Sequence, residues 1–80
     1  MLRKAILMSI TTYNGAVKWF TASKGFGFIA PDDGGADVFL HITELDRSGL
    51  TTPRDGQRVN YELKTHKGKT SATNITFLPE

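Results

Sequence analysis

The stretch Lys24-Gly25-Phe26-Gly27-Phe28-Ile29, echoed by Val38-Phe39-Leu40-His41, places the strongest limit on what this chain can fold into. Successive side chains on a strand point to opposite faces. Phe26 and Phe28 therefore share one face, as do Phe39 and His41 on the next strand, while Ile29, Val38 and Leu40 fall on the other. Gly25 and Gly27 alternate with the phenylalanines and add almost no bulk behind them. A hairpin of the two segments has an aliphatic side suited to a core and a second side bearing three large rings and an imidazole. A sheet this small is not covered on both faces, so the second side calls for a use other than packing. Stacking supplies one. Aromatic side chains on an open sheet bind successive unpaired bases at about 1–3 kcal/mol each, and Lys24 stands beside them as a phosphate partner. A lone Phe-x-Phe reads more simply as a strand buried on both faces. Its recurrence next door, with a polar-tipped ring, favours a stacking platform.

The remaining sequence predicts short strands and turns. Strand one is expected over Asn14 to Phe20, where strict alternation would split Trp19 and Phe20 between faces. Thr21-Ala22-Ser23 turn into strand two, Gly25 to Ala30, which Pro31 helps to end because proline cannot donate to the ladder. Pro31-Asp32-Asp33-Gly34-Gly35 is turn chemistry. Strand three spans Asp37 to Ile42, and Thr43-Glu44-Leu45 suit a helical turn with Leu45 packing down. Asp46 to Gly56 form a long loop. In strand four, Gln57 to Lys64, the residues Val59, Tyr61 and Leu63 alternate with Arg58, Asn60 and Glu62, the mark of a half-buried strand. Thr65 to Lys69 make a basic turn, and strand five runs from about Ser71 to Leu78. Five strands without a helix of ten residues predict an all-β, five-stranded antiparallel barrel of the OB type, whose second and third strands carry the binding face. The RNA-recognition fold, with its four-stranded sheet and helices, finds no room here.

Eighty residues make one small domain, which buries only about 60–65% of its unfolded surface. The chain has no cysteine, so disulfides, thiolate nucleophiles and cysteine metal sites are excluded, which suits a reducing cytoplasm. Ten Lys+Arg against eight Asp+Glu leave a net charge of +2, too weak alone to argue for nucleic acid but compatible with a local basic face. No apolar run approaches the ~20 residues needed to span a bilayer. The apolar run after Arg3-Lys4 is broken at Ser9, short of the ~7–15 residues of a secretory core. Residues 1–13 are expected to be an N-terminal extension, either a mobile tail or the result of a start upstream of Met8, and 14–78 the domain.

Gly15-Ala16-Val17-Lys18-Trp19-Phe20, Lys24 to Ile29 and Asp37 to His41 closely resemble the bacterial cold-shock protein family. Asp55-Gly56-Gln57-Arg58-Val59 and Ala72-Thr73-Asn74-Ile75 are similar to its later signatures. The resemblance covers Asn14 to Leu78 without a large gap, with several motifs in order. It implies that Trp19 lies on the nucleic-acid face and that Phe20 sits at its edge because the strand is bent. It also implies a small single-stranded RNA- and DNA-binding protein of low sequence specificity. Such a protein acts as an RNA chaperone that melts weak structure, with effects on translation, transcription termination and stress response. The chain departs from the family at Ile42 and near Leu50, where aromatic residues are usual, predicting a weaker or shorter footprint. Thr21 replaces a common asparagine, and Lys69 stands where proline is frequent.

The expected binding set is therefore Lys18, Trp19, Phe20, Lys24, Phe26, Phe28, Phe39 and His41. Lys64, Lys67 and Lys69 are as readily a solvated turn as a phosphate contact, and Arg47, Arg54 and Arg58 carry no assignment. His41 has only distant His66 as a companion, too few ligands for a metal, and no nucleophile with an orienting partner for catalysis. Asp32, Asp33 and Asp37 resemble catalytic carboxylates, but the turn explains them. Gly25-x-Gly27 lacks the third glycine and the helix of a dinucleotide site. No enzyme activity, cofactor, metal or membrane partner is expected, and the chain is expected to act as a monomer. The rival readings are a protein-docking module using the exposed rings, which steep salt dependence would argue against, and a duplex-DNA regulator, for which no groove-fitting helix or ribbon is evident.

Overall fold

The computed structural model describes residues 11–79. It contains β1 (Tyr13–Thr21), β2 (Phe26–Pro31), β3 (Val38–His41), α1 (Ile42–Arg47), β4 (Arg58–His66) and β5 (Lys69–Phe77). The strands close into a barrel in the order β1-β2-β3-β5-β4, β4 returning to β1 from Tyr13↔Tyr61 to Ala16↔Arg58. The all-β barrel of the OB type is as expected, with one correction: it is not antiparallel throughout. β3 and β5 run parallel and meet at Phe39↔Ser71. Parity requires this, because five strands cannot alternate direction all the way round a closed ring. The expected extension over 1–13 lies outside the described residues except for its last three, of which Tyr13 already belongs to β1.

The core consists of Val17, Ile29, Leu40, Leu45, Val59, Tyr61, Ala72 and Ile75, with Tyr13, Phe20, Val38, Leu50 and Phe77 packed at its margin. Ile29 and Val38, as well as Gly27 and Leu40, are register partners, so the aliphatic face of the β2–β3 hairpin is the one turned inward. Gly27 is required by close approach. A Cβ there would stand 2.2 Å from the Trp19 carbonyl oxygen and 2.7 Å from the Phe20 Cα.

Strand three ends one residue earlier than the sequence suggests, because His41 caps α1. Its Nδ1 accepts the Thr43 backbone N–H at 3.2 Å and bonds the Thr43 hydroxyl at 3.0 Å. Helix formation starts at Ile42 because this cap satisfies one of the first-turn donors. Leu45 packs down as expected, 1% exposed. The basic turn contracts to Lys67-Gly68, both at positive φ (52° and 78°), as a two-residue hairpin turn matched to strand twist requires. Consequently β4 and β5 each extend two residues further than expected, with His66 opposite Lys69.

Candidate nucleic-acid interface

A bulge in β1 decides which rings face out. Val17 pairs with Ile29 and Trp19 with Phe28, so Lys18 is an extra residue on one side of the ladder. An extra residue breaks strict alternation. Val17 points into the core and Trp19 is turned out beside Phe28. Phe20, opposite Gly27, is turned back inward. Phe20 is half-buried at the margin of the core, and its Cδ1 would lie 2.9 Å from a Cβ on Gly27.

The outward rings form one cluster. Trp19 lies edge-on to Phe28 and Phe26, with centroids 5.4 and 5.7 Å apart. Phe39 completes the ring of four at 5.8 Å from Phe28 and 5.7 Å from Phe26. His41 adjoins Phe39 at 6.1 Å. Edge-to-face pairs of this kind contribute about 0.5–1.5 kcal/mol each beyond area burial, so the rings hold one another in place. Trp19 is 37% exposed, His41 is exposed, and Phe26, Phe28 and Phe39 are half-buried. Because His41 Nδ1 accepts from the Thr43 backbone, the neutral imidazole carries its proton on Nε2, the nitrogen left for a further partner.

The cations divide into committed and uncommitted. Lys18 Nζ is 2.8 Å from Asp37 Oδ2, which offsets its charge. Arg58 grips Asp32 with two bonds of 2.7 and 2.5 Å, pinning the β2–β3 turn to β4. That guanidinium holds the Asp32 carboxyl below its ordinary range. Asp33 Oδ1 accepts the Gly35 N–H at 2.8 Å. The three aspartates thus serve separate structural purposes. Lys64 bonds the buried Glu44, which also accepts from Thr73 at 2.8 Å. Burial pushes the Glu44 carboxyl up, but the bonds from Lys64 and Thr73 and the charges of Lys64 and Arg47 outweigh it and hold the group below the 4.5 of a free glutamate. Lys24 is exposed in the turn closed by Lys24 N–H and Gly25 N–H on the Thr21 carbonyl. Among the described residues no carboxylate pairs with Lys24, Lys67 or Lys69.

Beyond Phe39 and His41 the face continues into an open groove of about 650 Å³, bounded by Glu44 of α1 and by Lys64, His66, Lys69 and Ser71 of the β4–β5 hairpin. The groove depends on the β3–β5 seam, a long-range pairing with no local sequence signal. The two departures from the family pattern also find their places. Ile42 lies over Gly25, its Cγ2 3.3 Å from where a Cβ would stand, and Leu50 packs on the core margin. Among the described residues no three His, Asp or Glu side chains converge as a metal site would need, and no helix is long and apolar enough to cross a membrane.

A small OB-type barrel with an open aromatic face belongs to the class of nucleic-acid-binding domains. The family model for the 'Cold-shock' DNA-binding domain matches residues 13–78, and the chain belongs to the cold-shock domain family. It is 60% identical over 63 residues to the probable cold shock protein y4cH of Sinorhizobium fredii, covering 76% of this chain and 91% of that protein. It is 48% identical over 64 residues to the cold shock protein CspA of Rhizobium meliloti, covering 78% and 93%. With the cold shock-like protein CspE of Escherichia coli K12 it shares 47% identity over 64 residues, covering 80% and 93%.

Proposed function

We propose that this cold-shock domain protein binds single-stranded RNA and DNA with little sequence preference, in the cytoplasm and without catalysing a reaction. The observation that carries the reading is the cluster of Trp19, Phe26, Phe28, Phe39 and His41, exposed or half-buried on the side of the sheet away from the core. Every base offers a π-face to such rings, whatever its sequence. Lys24 contributes a phosphate contact, and Lys18 a weaker one because Asp37 competes for it. By stacking unpaired bases the protein lowers the free energy of open strands and so melts weak RNA hairpins. That is an RNA-chaperone role, with translation and transcription termination as the processes it would influence.

Trp19, the single tryptophan, provides the test. Oligo-dT and an unstructured oligo-U should both quench its fluorescence, a duplex should do so less, and all responses should weaken as salt rises. Binding that is insensitive to salt would overturn the reading in favour of a protein-docking face, and equal binding of duplex and single strands would overturn it in favour of duplex recognition.

A further inference from the structure

We infer that Thr43 is a positioning residue for the aromatic face: it fixes the tautomer and ring plane of His41, so that Nε2–H meets the bound strand as a preset donor. The inference rests on the single-strand reading above. Two groups of Thr43 converge on one nitrogen. Its backbone N–H reaches His41 Nδ1 at 3.2 Å and its hydroxyl at 3.0 Å. A backbone N–H only donates, so Nδ1 presents its lone pair. A threonine hydroxyl both donates and accepts, and against a lone pair it donates. The backbone bond is at the long end of the usual range, which leaves the hydroxyl as the firmer hold. Among the described residues His41 makes no other hydrogen bond.

An exposed imidazole left to itself is not so defined. The χ2 torsion of histidine is broad and roughly two-fold, and turning the ring over carries Nδ1 away from Thr43. The two bonds select one setting. In it the ring lies 6.1 Å from Phe39, tilted by 42°, and His41 stands opposite Phe26 in the β2–β3 register. The hold comes from behind the face rather than from the ligand. Thr43 belongs to α1, which Leu45 seats in the core and Glu44 ties to β4 and β5. A side chain ordered beforehand spares the cost of ordering it on binding. A ring free to exchange tautomers would instead turn a bare lone pair to the strand for part of the time. Thr43 is thus distinct from the rings: it acts on the strand only through His41.

The experiment measures oligo-dT affinity and imidazole nitrogen NMR shifts for the wild type, Thr43→Val, Thr43→Ser and His41→Phe, and affinity for Thr43→Val combined with His41→Phe. Spectra are taken at about pH 8, where an imidazole is neutral, and urea unfolding gives the folded fraction of each variant. The wild type should show one tautomer, with Nδ1 bare and Nε2 protonated. Thr43→Val keeps the shape and loses the hydroxyl. Its two ring nitrogens should draw together in shift, and it should bind about two- to tenfold more weakly. Thr43→Ser should restore both. With His41→Phe in place, Thr43→Val should change affinity no further, since the two residues act as one unit. A Thr43→Val protein with the wild-type tautomer and affinity would overturn the proposal. So would an equal loss from Thr43→Val with His41→Phe in place, because Thr43 would then act on the fold or touch the strand itself. Failure of the wild type to bind oligo-dT would instead remove the single-strand reading on which the proposal stands.

Discussion

At Lys18 one additional residue in β1 turns the strand over, and the consequences run in both directions along it. Trp19 faces solvent with Phe28, while Phe20 returns to the core side over Gly27. Gly27 is the counterpart on β2, pressed against the β1 backbone. Gly27→Ala would force a methyl to within 2.2 Å of the Trp19 carbonyl oxygen, so it should destabilise by about 1–3 kcal/mol or more, as overpacking does. Urea unfolding measures this, and a neutral result would mean that β1 and β2 separate freely. The lysines are also distinguishable one by one. Lys24→Ala should flatten the salt dependence of single-strand binding by about 0.7 in slope, whereas Lys18→Ala should change it less, because Asp37 already offsets that charge. Equal effects would argue that the Lys18–Asp37 pair opens on binding. Much at this scale was legible in the sequence: the period of two placed Phe26, Phe28, Phe39 and His41 together without any long-range information. The bulge at Lys18 was not, because it is fixed by how β1 meets β2 rather than by the residues of β1.

Helix α1 shows how a short element is held when its own propensity is too weak. Six residues cannot sustain a helix in water, so α1 depends on its cap at His41, on Leu45 in the core and on Glu44. The Glu44 carboxylate ties α1 to β4 through Lys64 and to β5 through Thr73. Its folded-state pKa is lowered from 4.5. The unfolded chain therefore takes up the proton first as the pH falls, and the stability that Glu44 contributes is full above about 4.5 and lost as the pH drops through the folded value. Glu44→Gln should flatten the acid limb of a stability–pH profile in that range and change the neutral-pH affinity for oligo-dT little. An unchanged acid limb would show that Glu44 is not the group responsible. The sequence suggested a helical turn here, yet not its role. Thr43, Glu44 and Leu45 announce a turn locally, but Lys64 and Thr73 lie 20 and 29 residues away from Glu44. The same holds for the β4–β5 hairpin, where a Lys-Gly pair at positive φ lengthens both strands beyond what composition marked as turn.

For the whole molecule, closure of five strands into one barrel gives a single sheet two separate duties. Its inner face holds Val17, Ile29, Leu40, Val59, Tyr61, Ala72 and Ile75 at no more than 3% exposure, and its outer face over β1, β2 and β3 carries the rings. The barrel was legible from five strand patterns and a family resemblance. The parallel β3–β5 seam follows from parity only once closure is known, and the groove exists only because of that seam. A net charge of +2 is too small to drive association by itself, and the proposed reading assigns the binding to the rings, aided by a few uncommitted cations. If that assignment holds, a fluorophore-labelled RNA hairpin of marginal stability should open as the protein is added, and a stable duplex should not. Opening of both, or of neither, would count against a chaperone that works by capturing unpaired bases. The division of labour between the faces is tested most directly by measuring oligo-dT affinity and unfolding free energy side by side for Phe28→Ala and Val38→Ala. Phe28→Ala should lose about 1–3 kcal/mol of binding with little loss of stability, and Val38→Ala should lose stability while its folded fraction binds as before. If Phe28→Ala instead unfolds the barrel, or leaves affinity untouched, the rings are packing rather than a binding face and the account fails.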